Sequence, residues 1–150
     1  MLNKSRGTSH SGAPLQINSA DSVNISGTGI WENICITANT IGDIPTSIVG
    51  PNGAVFVGGR GPSSTVGDIG MNGDSGDVDV FNTRVNSISG DKGYIHVHYG
   101  HVNTVNGSFK QIHLHNGSTI GTINGSGEGI WLHDASSSVV NPGGNVVHGP

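Results

Sequence analysis

Two His-x-His pairs carry the densest chemistry in this sequence. His96 and His98 lie in "YIHVHYGH" (94–101), and His113 and His115 lie in "QIHLHNG" (111–117). Imidazole is the commonest metal ligand near neutral pH, and residues two apart in a strand project to the same side. Each pair can therefore offer two rings to one ion. The same rings can instead stack as a ladder, making hydrogen bonds and aromatic contacts across a surface. A third cluster is oxygen-rich: Asp74, Asp77 and Asp79 in "NGDSGDVDV". Calcium loops use such acids, but the further ligands and terminal Glu of an EF-hand are missing, and turn chemistry accounts for an Asp/Gly-rich loop.

What positions the histidines is a repeat. "TIGDI" (40–44), "TVGDI" (65–69) and "TIGTI" (119–123) nearly coincide, with looser copies "RVNSI" (84–88) and "HVNTV" (101–105). Ahead of these segments lie apolar-x-apolar pairs: Ile34/Ile36, Val55/Val57, Val78/Val80, Ile95/Val97, Ile112/Leu114 and Ile130/Leu132, beginning 21, 23, 17, 17 and 18 residues apart. Gly90, Gly107 and Gly125 mark one corner in three successive copies. Apolar residues three apart do not fit a straight strand, whose inward positions alternate. They fit a chain that bends between them. Copies that cannot close a core alone must stack. The expected fold is an all-β, single-domain β-solenoid (parallel β-helix) of about six rungs, roughly 30 Å long at ~4.8 Å per rung. Its body is expected over residues 21–140, after an extended N-terminal arm (1–20) and before a C-terminal cap or tail (141–150).

With the apolar pairs inward, the intervening residues form outward columns. One reads Cys35, Phe56, Asp79, His96, His113, Trp131; the other reads Thr37, Gly58, Phe81, His98, His115, His133. A solvent-facing column should be small and polar, so large aromatics mixed with imidazoles point to a buried contact. Phe56, Phe81, His96, His98, His113, His115, Trp131 and His133 are therefore the expected subunit interface, with a homotrimer as the expected assembly. The histidines are expected to form a structural ladder with no metal. Ligation of a transition metal by His98, His115 and His133 is the alternative.

Composition narrows the function classes. Glycine supplies 26 of 150 residues, charged residues only 11%, and the formal charge is −4. No basic surface suggests nucleic acid as a partner, and no apolar run approaches a membrane span. Cys35 is the sole cysteine, so no internal disulfide forms. The opening "MLNKSRGTSHSG" lacks the apolar core of a signal peptide, so synthesis in a cytoplasm is expected. The acids are scattered rather than paired for glycoside cleavage, and Walker, dinucleotide and Ser/His/Asp signatures are absent. "GDSG" (73–76) resembles the nucleophile segment of trypsin-like proteases without the companion motifs. The chain is expected not to be an enzyme and to need no cofactor.

Rungs such as "GYIHVHYGHVNTVNG" and "KQIHLHNGSTIGTINGSGEGIWLHD" resemble β-helical structural proteins of tailed bacteriophages: capsid-decorating proteins, head fibres and tail spikes. The resemblance covers about residues 21–140 and rests on rung style. It implies a trimeric virion protein that attaches by an N-terminal segment, and some phage spikes hold iron through His-x-His at the trimer axis. Lys4, Arg6, His10 and Leu15, within and beside "NKSRGTSHSGAPL", are the expected contacts to the major capsid protein or another virion protein. The compact length suits a capsid decoration or head-spike protein on the virion surface. A bactofilin-like polymerising cytoskeletal solenoid is the chief alternative, and a tail-spike or adhesin module binding a cell surface is the third.

Overall fold

A computed structural model describes residues 2–6, 13–27, 29–61 and 63–150, with side chains from Pro14 onward. The strands are β1 (Leu2–Arg6), β2 (Ala13–Gly27), β3 (Trp31–Ile41), β4 (Val49–Gly59), β5 (Thr65–Gly70), β6 (Val78–Phe81) and β7 (Arg84–Ser89). They continue as β8 (Tyr94–His98), β9 (His101–Asn106), β10 (Gln111–His115), β11 (Thr119–Asn124), β12 (Gly129–Leu132), β13 (Ser138–Asn141) and β14 (Val147–His148). Thr46–Ile48 forms a single 3-10 turn. Every strand pairing is parallel, and the chain winds as a β-solenoid of about seven turns. One wall runs from the first halves of β2 and β3 through β4, β6, β8, β10 and β12 to β14. The other runs from their second halves through β5, β7, β9 and β11 to β13.

The core follows from the apolar spacing. Ile95, Val97, Ile112, Leu114, Val102, Val105 and Ile120 are fully buried. In the second wall, residues three apart such as Val85 and Ile88 both point inward, as the bend requires. Each fully buried Val or Ile contributes about 1.5–3 kcal/mol. The early turns are longer, and Ile44, Ile48, Val49 and Met71 fill the extra interior.

One turn was not anticipated. Leu15 and Ile17 are buried and pair in register with Ile34 and Ile36, and β1 stacks in parallel on the end of β2, so the winding extends ahead of residue 21. Leu15 is thus a core residue and not an attachment contact. At the other end β14 continues the first wall on β12, so residue 141 is no break in the pairing either. The backbone of Lys4 and Arg6 lies in β1, paired with β2, whereas His10 lies outside the described residues.

Corners are set by backbone demands. Gly90 and Gly107 adopt φ of +86° and +89°, the region that favours glycine. A Cβ on Gly107 would sit 2.7 Å from the Gly90 carbonyl oxygen one turn away. Beside this corner Lys92 is 1% exposed, and its Nζ donates to the carbonyls of Gly90, Asn106 (2.7 Å) and Ser108 (3.2 Å). Sequence reasoning passed over it because lysine is ordinarily a surface residue. Burial pulls its pKa down to about 8, with Asp91 opposing the shift.

Two outcomes follow. Gly107→Ala is expected to destabilise the fold by about 1–3 kcal/mol in urea melts, since the substitution combines a positive φ with a backbone clash. For Lys92 the unfolded chain binds the proton more tightly than the folded one between about 8 and 10.5. Stability therefore rises with pH across that window. Lys92→Met is expected to remove its contribution to the rise.

Candidate functional site

The outward columns form as the spacing dictates. Cys35, Phe56, Asp79, His96, His113 and Trp131 stand opposite one another in successive strands, and His148 extends the column. Thr37, Gly58, Phe81, His98 and His115 form the second column, which His133 continues just past β12. Strand spacing of ~4.8 Å matches the distance at which aromatic rings stack face to face. The rings respond accordingly. His96 and His113 lie 4.9 Å apart between centroids, His113 and Trp131 5.4 Å, Trp131 and His148 4.5 Å. In the second column His98 and His115 lie 4.4 Å apart and His115 and His133 4.1 Å, with planes within 10° of parallel. The buried residues of β8 and β10 beneath them hold both columns in place.

Hydrogen bonding divides the imidazoles into two groups. Gln111 donates through Nε2 to Glu128 Oε2 (2.8 Å), which leaves its Oε1 to accept from His113 Nε2 at 3.0 Å. With that proton on Nε2, His113 Nδ1 accepts from His133 Nε2 at 2.8 Å. His96, His98 and His115 have no hydrogen-bond partner on their ring nitrogens among the described residues. One nitrogen from each of these three rings lies within 4.8 Å of the other two. The sequence expectation for ligation was a vertical set of His98, His115 and His133. The structure instead brings His96 in and leaves out His133, which is hydrogen-bonded to His113.

Burial and the neighbouring rings act on two of the imidazoles, His113 and His115. Burial and the neighbouring His133, His98, His96 and His113 pull the pKa of His115 down to about 4. His113 is lowered by burial and by His96 and His133. Asp79, the one acid in these columns, is half-buried beside His96, and burial raises its pKa against the pull of His96 and His98. Asp74, Asp77 and Asp79 do not converge on a cation: Asp77 Oδ1 instead accepts from the backbone N–H of Tyr94 at 2.8 Å.

Around the rings the face stays apolar and open. Phe56 is 37% exposed, Phe81 43%, Tyr94 38% and Tyr99 58%. Tyr99 meets Phe81 edge-on at 5.7 Å and holds a φ of +52°, at a corner where Asn82 and Asn116 occupy the neighbouring turns. A left-handed φ is tolerated by Asn and costly for a tyrosine. Sequence reasoning missed Tyr94, Tyr99 and His148. Tyr94 and Tyr99 flank the first His-x-His pair, and His148 follows Val147, which stands 17 residues after Ile130. His101 lies in the other wall, bonded to Thr119 and to Asn103.

No helix among the described residues is long and apolar enough to cross a membrane. Comparison with family models, curated proteins and solved structures finds no match for this chain.

Acid should act on the ladder. His115 takes its proton at about 4 in the fold, whereas the ordinary value is 6.5. As pH falls through 6.5 the unfolded chain is protonated first. The contribution of His115 is therefore fully present above 6.5 and lost toward 4. The urea midpoint is expected to fall across that window, and His115→Asn is expected to flatten the fall.

Proposed function

We propose that this chain is a structural virion protein of the capsid-decoration or head-spike kind, working without catalysis as a homotrimer. The observation that carries the reading is the outward face itself. Two continuous columns of stacked imidazoles and aromatics are bordered by Phe56, Phe81, Tyr94 and Tyr99, each more than a third exposed. Covering such rings with a second copy gains the burial of large apolar groups. The rings are already stacked on one another before contact. Adhesion to the shell falls to the N-terminal segment, where Lys4 and Arg6 supply cations for an acidic capsid surface.

A second reading has its own support. At the C-terminal end Val140 is 80% exposed, Val146 62% and Val147 39%, beside strands β13 and β14 that carry no further strand on their outer edges. An apolar open end can accept another solenoid, as in a bactofilin-like filament.

Light scattering and electron microscopy of the purified chain separate these readings. Discrete particles of three chains are expected at micromolar concentration, and Phe56→Ser with Phe81→Ser is expected to dissociate them while the circular dichroism spectrum stays that of a β-solenoid. Filaments would favour end-on polymerisation, and a monodisperse monomer would sink the trimer. Virions carrying the chain are expected to lose it when Lys4 and Arg6 are both changed to Glu.

A further inference from the structure

We propose that His96, His98 and His115 form a binding site for one divalent late transition ion per chain, with zinc or nickel as the chemical class. The site is made within one chain across two turns and does not depend on the trimer. Three observations carry it. The ring nitrogens gather within 4.8 Å of one another. The same three rings lack hydrogen-bond partners on those nitrogens, whereas His101, His113 and His133 are engaged. All three rings are partly exposed in the single chain, so an ion can reach them from solvent before a second copy covers the face.

The scaffold suits the chemistry. His96 and His98 project from one strand, and His115 stands opposite His98 on the next, which makes a triangle rather than a line. Ile95, Val97, Ile112 and Leu114 are completely buried behind them and fix the backbone that carries the three rings. The His98 and His115 planes are 7° from parallel, so their lone pairs run side by side in the stack. Closure onto an ion at about 2.0–2.1 Å needs rotation about the ring torsions, which the half-exposed rings can make. Neutral imidazole is the ligating form. Three nitrogens leave at least one position for solvent, while His113 and His133 remain paired to each other.

The test uses the full chain without an affinity tag, stripped with chelator and titrated calorimetrically with ZnCl2 and NiCl2. One equivalent per chain is expected. His96→Asn, His98→Asn and His115→Asn are each expected to weaken binding at least about tenfold, and His101→Asn, in the other wall, to leave it unchanged. Binding of less than half an equivalent, or binding indifferent to His115→Asn, would overturn the site. Loss on His101→Asn alone would place the ion elsewhere and overturn it equally. Should a variant misfold, the wild-type chain still decides: zinc must shift the ring resonances of His96, His98 and His115 in NMR and leave that of His101 unmoved. Light scattering on the same samples reports assembly separately, so a monomer that binds the ion would refute the trimer and keep this site.

Discussion

Parallel, in-register stacking of successive turns is the constraint from which the rest of this molecule derives. Each residue lies about 4.8 Å from the residue one turn away, so no side chain is chosen alone. An apolar side chain lies on an apolar side chain, Gly107 on Gly90, and Asn103 on Asn86. The outer surface obeys the same rule. Asn103 donates to Asn86 and Asn124 to Asn106, and Asn86 and Ser87 both donate to Asp68. The imidazole columns are the same device carried out with rings.

Stacking also explains why the pKa values of His113 and His115 are lowered. A column of cations at this spacing would repel itself strongly, and Asp79 is too near the end of the column to compensate all of it. The rings satisfy themselves by π-contact and by the Gln111–His113–His133 chain of hydrogen bonds. What is left over on β8 and β10 is three rings without hydrogen-bond partners among the described residues. Adhesion and ion binding thus arise from one geometry: flat stacked rings are good at both.

Much of this was legible in the sequence because the repeat is nearly exact in the middle of the chain. The 17-residue spacing of Val78, Ile95 and Ile112 fixes the register, and the register fixes both columns. The ends were harder to read. Leu15 and Ile17 form an apolar-x-apolar pair, but the Gly, Ser and Pro around them dominate the local composition and disguise the first turn. Ligand geometry was not legible at all. Spacing places His98, His115 and His133 one above another, yet whether nitrogens converge depends on ring rotation and on who already holds a hydrogen bond. Lys92 escaped for a different reason: its burial depends on three backbone carbonyls that only the folded corner brings together.

That corner has a consequence for how the solenoid breathes. An amine acylating reagent meets Lys110 in open solvent, whereas the Lys92 amine is sealed behind the carbonyls it donates to. Lys92 can react only in the moments when its turn detaches from its neighbours. The rate of its modification is then a clock on local opening in the middle of the stack, set by the sequence itself and read at a single atom.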